Sequence, residues 1–385
     1  MSESAATTQD LPEQRPRTRI PLRRRLIYIA LIYVVFLLLL FGIELLTRFT
    51  MAPVSSLDLF VSTPQQKMQV ADPAQAGIFE GDPLLLWRLK PNLNQVVWDF
   101  TVLSTNSQHF RADYPIVEKP AGTFRVICLG DSVTFGYRVP TVWPDKPTEY
   151  DHESLPFPML LEKHLHSVNP SRKIEVFPMA VPGYTSHQGF AWLQRDINRL
   201  QPDMVIASFG WNDASLSDVP DRDAIRTDFY PVAIRWLIDH SQVFAHATHW
   251  LRSRNPTSQG QVHPGSRVSQ LEYLNNFSKI VNLVRSRGAV IVVVGAPYRD
   301  ARTNPPEAEL MKQYRAALRA NMKEQKVPYL EVLELTEAAS PANDGFFGEL
   351  IHPNNMGHRL LASELLKLME REKLLGELNV AGFEP

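Results

Sequence analysis

The chain has 385 residues, of which 44% are hydrophobic and 21% are charged, and its formal net charge is −1. This composition is that of a globular protein and excludes a disordered, collagen-like or disulfide-scaffold chain. The 40 basic and 41 acidic residues nearly cancel. No basic excess is therefore present to neutralise phosphates, and nucleic acid is not expected as a partner. The single cysteine, Cys128, excludes an intrachain disulfide and is predicted to be buried because its neighbours are apolar.

An apolar segment near the N-terminus is long enough to cross a membrane. Residues 26–43 contain no charged side chain and would span about 27 Å as a helix, close to the hydrocarbon thickness of about 30 Å. The segment lacks the polar stripe of a buried soluble helix, and residues 48–53 offer no clean signal-peptide cleavage site. Six arginines precede the segment, which predicts a cytoplasmic N-terminus and a single-pass anchor in the inner (cell) membrane. The rest of the chain is then expected outside the cytoplasm, in the periplasm.

The chain divides by its pattern into regions with different expected roles. We expect a cytoplasmic tail over 1–25, the anchor over 26–47, a membrane-proximal linker region over 48–122 and a C-terminal tail over 373–385. The main domain is expected over 123–372. It carries an insertion over 214–267 whose length is typical of a lid or a binding element.

Short apolar, β-branched runs alternate with amphipathic stretches of helical length in the main domain. The runs that predict strands are 124–129, 173–177, 204–208, 290–294 and 327–332. The stretches that predict helices are 158–168, 188–200, 268–287, 307–325 and 355–372. This alternation indicates an α/β fold with a parallel sheet, helices on both faces, and a ligand site at the carboxyl ends of the strands.

Polar or flexible residues follow the first three predicted strands. Ser132 lies where the first strand turns into a helix, and the free N–H groups of a helix N-terminus can stabilise an anion. Gly183 and Asn212 follow the second and third strands, where glycine permits close backbone approach and the Asn amide is a neutral donor. With Ser132 N–H they can form an oxyanion hole. The alternatives are a serine N-cap, a turn glycine and a loop cap.

A histidine near the C-terminus supplies the base that a serine nucleophile requires. His352 lies in the loop after the last predicted strand, and imidazole titrates in the range that this task needs. Glu349 is three residues away, where its carboxylate can bind the other ring nitrogen and fix the tautomer. These residues predict a serine hydrolase that requires neither a metal ion nor another cofactor.

The order and spacing of Ser132, Gly183, Asn212 and His352 resemble the four blocks of the SGNH, or GDSL-like, hydrolase family, over residues 123–372. The resemblance implies a flavodoxin-like three-layer α/β/α fold with about five parallel strands. It also implies that Ser132 is the nucleophile, His352 the general base, and Ser132 N–H, Gly183 and Asn212 the oxyanion hole. Residues 106–111 resemble the segment that precedes the catalytic domain in bacterial membrane-anchored members.

Two positions depart from the pattern of that family. Glu349 stands where the family usually has Asp, and both Asp344 and a Ser–His dyad remain as alternatives to a Ser132–His352–Glu349 triad. Pro178 stands five residues before Gly183, where many relatives have Asn.

The sequence therefore predicts a membrane-anchored, extracytoplasmic serine esterase. Its expected substrate is an acyl ester, chiefly acetyl, of a carbohydrate or a lipid, and it would act through an acyl-enzyme. One alternative is an O-acyltransferase that passes the acyl group to an extracytoplasmic glycan, with water excluded by the insertion over 214–267. Another is a membrane-tethered binding protein without turnover, which only the replacement at Glu349 favours.

Overall fold

The computed structural model describes most of the chain in segments. These are residues 21–51, 54, 75–82, 84–143, 146–151, 153–217, 220–224, 232–254, 265–297, 306–339, 344–349 and 351–375. Of the two expected tails, residues 1–20 and 376–385 lie outside the described residues.

The N-terminal apolar segment lies within one long helix, α1 (Leu22–Thr50). None of its residues is buried against the rest of the protein. Within the described part of the chain, it is the one helix long and apolar enough to cross a membrane. It fits a single-pass anchor or a signal sequence, since length and composition are the same for both.

Residues 75–122 form small hairpins that pack onto the main domain. The first hairpin pairs β1 (Phe79–Asp82) with β2 (Leu86–Leu89), and the second pairs β3 (Val96–Trp98) with β4 (Thr101–Leu103), both antiparallel. Large side chains of this region belong to the same hydrophobic core as the central sheet, among them Leu85, Trp87, Trp98 and, after the second hairpin, Phe110. This region therefore contributes buried apolar surface to the main domain.

Five parallel strands form the central sheet: β5 (Thr123–Gly130), β8 (Lys173–Ala180), β9 (Met204–Ser208), β12 (Val290–Val294) and β13 (Tyr329–Leu330). Their order across the sheet is β13-β12-β9-β5-β8. Read from β8, this is the order 2-1-3-4-5 of the flavodoxin-like doubly wound folds. A short hairpin, β6 (Val142–Trp143) with β7 (Lys146–Tyr150), lies outside the sheet.

Helices cover both faces of the sheet and connect its strands. They are α2 (Ser132–Phe135), α3 (Phe157–Val168), α4 (Ser186–Leu200), α5 (Trp211–Ala214), α9 (Gln270–Ser286), α10 (Pro306–Glu324), α11 (Val332–Ala339) and α12 (Asn355–Arg371). Ile127 and Leu129 of β5 belong to a core with α4, α9 and α10. Val126 and Cys128 belong to a second core with α3 and α12. Because alternate residues of a strand point to opposite faces, β5 is buried on both, and the three-layer α/β/α fold is confirmed.

The insertion is closed at its base by a two-stranded pairing and is largely helical in its described part. β10 (Leu216–Ser217) pairs with β11 (Gly265–Ser266). Between them lie α6 (Asp221–Ala224), α7 (Val232–His240) and α8 (Gln242–Arg254). The helices α7 and α8 contact each other and form a hairpin.

Candidate active site

Three of the predicted site residues lie just beyond the carboxyl ends of three adjacent strands. Ser132 follows β5 at the centre, Gly183 follows β8 on one side, and Asn212 follows β9 on the other. The adjacency follows from the strand order, since parallel strands all end at the same edge of the sheet.

A sharp turn at the end of β5 presents Ser132. Asp131 caps the single-turn helix α2, and its Oδ1 accepts a hydrogen bond from Val133 N at 2.9 Å. Gly130 must lack a side chain, because a Cβ there would lie 2.1 Å from Thr134 Oγ1 and 2.9 Å from Ser208 O. Burial raises the pKa of Asp131 to about 7.

Ser132, His352 and Glu349 form a continuous chain of hydrogen bonds. Ser132 Oγ lies 2.7 Å from His352 Nε2, and His352 Nδ1 contacts Glu349 Oε1. Because a carboxylate can only accept, we assign the ring proton to Nδ1, which leaves Nε2 to accept a hydrogen bond from the serine hydroxyl. The hydrogen bond from His352 lowers the pKa of Glu349 below its usual value. The predicted nucleophile, base and carboxylate are therefore brought together by the structure.

A tight loop before α12 carries both the histidine and the glutamate. Gly348 N donates to His352 O at 3.0 Å, and Asn354 N donates to Phe346 O at 2.9 Å, so the loop is closed across its base. The Tyr137 ring packs on the His352 ring with 4.3 Å between centroids. Asp344, the alternative partner of His352, lies in a 3₁₀ turn (Asp344–Phe346), and its side chain lies outside the described residues.

Side-chain donors bind the backbone carbonyl groups of the loop that contains Gly183 and hold it in place. Gly183 has φ +83°, a conformation that favours glycine, and a Cβ there would lie 3.1 Å from the Trp87 ring. Arg267 Nη1 donates to Gly183 O at 2.8 Å, and Trp87 Nε1 donates to Pro182 O at 3.1 Å. Arg267 also pairs with the buried carboxylate of Asp221 at 3.0 Å. The insertion is thus fixed at its base to the loop that contains Gly183.

Asn212 links the other two loops of the site. Its Nδ2 donates to Tyr184 O at 3.0 Å, next to Gly183, and lies 3.5 Å from Asp131 Oδ2, next to Ser132. The three predicted oxyanion donors therefore lie on loops that are hydrogen-bonded to one another.

The adjacent Asp213 has a structural position. Its carboxylate accepts from Ser186 Oγ at 2.5 Å and from Ser186 N at 3.0 Å, which satisfies the first backbone N–H of α4. Burial raises the pKa of Asp213 to about 8.

Arg111 supports the turn that contains Ser132, and the sequence analysis did not identify this contact. Its buried guanidinium donates to four backbone carbonyls, those of Phe135, Gly136, Val102 and Val139. Burial lowers the pKa of Arg111 to about 9. The only sequence signal was its place in the segment 106–111, which indicated a resemblance but not a contact. Arg111 thus joins the β3–β4 hairpin to the turn that follows Ser132.

No group of three or more His, Cys, Asp or Glu side chains is placed to hold a metal ion in the described part of the chain. The chemistry available at the sheet edge is that of a serine, a histidine, a carboxylate and amide donors. This set is typical of acyl transfer through a serine nucleophile.

Comparisons with known proteins agree with this class. The model of the GDSL-like lipase/acylhydrolase family matches residues 128–360. The match covers more than half of the chain, so the chain belongs to the GDSL-like lipase/acylhydrolase family and is a hydrolase of ester bonds. No curated protein matches the chain.

Several solved structures are similar to the chain. An acetylxylan esterase from Geobacillus stearothermophilus is 16% identical, with 68% of this chain and 95% of that chain covered and a TM-score of 0.43. A lipase/acylhydrolase from Enterococcus faecalis is 17% identical, with 68% and 100% covered and a TM-score of 0.41. A GDSL-like lipase from Bacteroides thetaiotaomicron is 12% identical, with 64% and 88% covered and a TM-score of 0.38.

Proposed function

We propose that the protein is a membrane-anchored, extracytoplasmic serine esterase with a Ser132–His352–Glu349 triad. Its substrate is an acyl ester, chiefly acetyl, of a carbohydrate or lipid of the cell envelope. The observation that carries the proposal is the 2.7 Å contact between Ser132 Oγ and His352 Nε2, with Nδ1 of the same ring on Glu349.

Acylation begins when His352 Nε2 takes the proton of Ser132 Oγ. Ser132 Oγ attacks the carbonyl carbon of the acyl ester. The π electrons of the C=O bond move onto the carbonyl oxygen, which becomes the oxyanion of the tetrahedral intermediate. Ser132 N–H, Gly183 N–H and the Asn212 amide donate to that oxyanion. The Asn212 amide donates to Tyr184 O at 3.0 Å, whereas its contact to Asp131 is long at 3.5 Å, so its second N–H is available to the oxyanion.

The oxyanion then collapses, and the bond to the alcohol breaks. His352 Nε2–H gives its proton to the departing alkoxide, which leaves as the free alcohol. In the second half, His352 deprotonates a water molecule that attacks the acyl-serine. The acid is released, and the serine regains its proton. Glu349 stays ionised throughout and stabilises the imidazolium that forms in each half, in line with its lowered pKa.

The placement of the enzyme is part of the same proposal. We assign α1 as an uncleaved anchor with its arginine-rich end in the cytoplasm, and residues 123–372 as the catalytic domain. Support comes from the arginines that precede the apolar run 26–43. It also comes from the surface of α1, which is not buried against the rest of the protein. The hairpins over 75–122, which lie between the anchor and that domain in the sequence, pack on the domain.

The test compares the full chain in detergent with Ser132→Ala and with the matched control Ser167→Ala, an exposed serine on α3. Hydrolysis of p-nitrophenyl acetate and longer acyl esters is measured, and circular dichroism checks that each variant is folded. We expect turnover by the wild type and by Ser167→Ala, and none by Ser132→Ala above the uncatalysed rate. Equal rates for wild type and Ser132→Ala would refute the proposed nucleophile. A glycan acceptor in the same assay shows whether the acyl group goes to water or to a sugar hydroxyl.

A further inference from the structure

A carboxylate near the C-terminal end of α1, that of Glu44, binds the helical hairpin α7–α8. Glu44 lies directly after the apolar run 26–43 and accepts three hydrogen bonds at the start of α8. The donors are Ser241 Oγ at 2.9 Å, Gln242 N at 2.9 Å and Val243 N at 3.1 Å. Because the first N–H groups of a helix have no partner within it, Glu44 caps α8 from another helix.

Further contacts surround this cap. Arg48 Nη2 donates to His240 O, the last residue of α7, at 2.9 Å, and Arg48 Nε pairs with Glu44 at 2.7 Å. The Gln242 side chain accepts from Val54 N at 2.9 Å and donates to Val54 O at 3.2 Å. The turn between α7 and α8 is therefore bound both to α1 and to the chain that leaves it. This turn lies at the level where the apolar run of α1 ends.

The hairpin that forms this junction exposes large apolar side chains. Trp236 of α7 is 58% exposed, and Trp250 and Leu251 of α8 are 50% and 56% exposed. Ala247, Trp250 and Leu251 are spaced i, i+3, i+4 and share one exposed face of α8. Tryptophan is enriched at membrane–water interfaces, where its ring is partly apolar and its N–H reaches water.

We propose that the α7–α8 hairpin lies in the water–lipid interface of the bilayer that α1 crosses, with Trp236, Trp250 and Leu251 among the phospholipids. The proposal rests on the assignment of α1 as a membrane anchor. The occupant follows from continuity, since α8, which carries this face, contacts α1, a helix whose own apolar surface is unburied. Interfacial helices of this kind bury an apolar face about 5–10 Å into the headgroup boundary.

The same insertion connects this membrane contact to the active site. At its base, Arg267 binds Asp221 and the Gly183 carbonyl, as described above. At its tip, the hairpin binds the end of α1. The insertion thus binds the end of α1 through its hairpin and the loop that contains Gly183 through Arg267 at its base.

The experiment measures the depth of single nitroxide labels on the full chain in phospholipid nanodiscs. Cys128 is fully buried and remains unlabelled, so each introduced cysteine reports alone. The positions are Leu251→Cys on α8, Leu38→Cys within α1, and Val117→Cys as the control. Val117 is 53% exposed, and its carbonyl binds Arg125 near the start of β5, at the edge of the sheet opposite to the insertion.

The ratio of collision with oxygen to collision with a water-soluble nickel chelate rises with depth in the lipid. We expect this ratio at residue 251 to be several-fold higher than at residue 117 and lower than at residue 38. Trp250→Cys gives a second position on the same face if Leu251→Cys fails to fold by circular dichroism. A ratio at 251 and 250 equal to that at 117, with residue 38 embedded, overturns the hairpin proposal and leaves the anchor intact. Water exposure of residue 38 overturns the anchor, and the hairpin proposal with it.

Discussion

Replacing Glu349 by glutamine measures how much of the catalysis depends on the carboxylate beside His352. The substitution keeps the length of the side chain and removes its charge. The imidazolium formed in each half-reaction then loses its counter-charge. The Nδ1 proton of His352 also loses its acceptor when the new amide turns its NH₂ group, which is a donor, toward the ring.

The exposure of Glu349 sets the expected size of the effect. Its side chain is 42% exposed, so water screens the charge more than in a buried triad, where the same change lowers kcat by about 10⁴. A hydrogen bond to a charged group contributes about 1.5–3 kcal/mol, and each 1.36 kcal/mol is tenfold in rate. We therefore expect kcat to fall by about 10- to 150-fold and KM to stay nearly unchanged.

The assay is steady-state hydrolysis of p-nitrophenyl acetate by the full chain. Glu372→Gln is the matched control, because its side chain is 43% exposed and lies after the last helix of the domain. We expect the control to retain the kcat of the wild type. If Glu349→Gln also retains it, the site works as a Ser–His dyad, and the reasoning from the His352–Glu349 contact is wrong.

Three further predictions concern the support of the site. Gly183→Ala places a side chain at φ +83° and 3.1 Å from Trp87, so we expect at least a tenfold loss of kcat and about 1–2 kcal/mol of destabilisation. Arg111→Met leaves four buried carbonyls without their donor, at a cost of about 3 kcal/mol or more, and should lower the melting temperature by about 6–12 °C. Burial lowers the pKa of His358 to about 3, so below pH of about 6.5 the unfolded chain binds a proton that the folded chain does not. The free energy of unfolding of the wild type should then decrease on acidification by up to about 1.4 kcal/mol per pH unit. His358→Gln should remove this contribution to the pH dependence.

Matched measurements decide each of these outcomes. Gly288→Ala has φ +70° with no atom within 4 Å of the added Cβ, so it carries the backbone strain alone and should keep full activity. Wild-type activity in Gly183→Ala would contradict the assignment of that loop. An unchanged melting temperature in Arg111→Met would show that water replaces the guanidinium. For His358, chemical denaturation between pH 7 and pH 4 gives the slope, and equal slopes for wild type and His358→Gln would contradict the argument.

The sheet and its helices could be predicted from local pattern. β9 and β12 have the predicted bounds, Met204–Ser208 and Val290–Val294, because each is a short β-branched run between turn residues. The predicted strand over 327–332 is shorter, with β13 limited to Tyr329–Leu330. It is an edge strand, and Pro328 has no N–H to extend the pairing; its carbonyl accepts from Val293 N.

The candidate site could also be predicted in outline. Ser132, Gly183 and Asn212 follow successive strands, and the geometry of a parallel sheet brings such positions to one edge. Their roles in the oxyanion hole, and that of Glu349 in the triad, stay predictions. The spacing of Glu349 and His352 permitted their contact but did not select it over Asp344, because both carboxylates lie within a loop of unknown shape.

The sequence by itself determined the fold class, the family and the order of the chemical groups along the chain, because each depends on local periodicity or on short motifs. The tertiary structure alone decided which distant groups meet. Arg111 binds carbonyls from two separate segments, the hairpins over 75–122 enter the core of the main domain, and Glu44 caps a helix about 200 residues away. No local pattern specifies such a partner. Each contact forms because a buried donor or acceptor must be satisfied by whatever group the packing brings within reach.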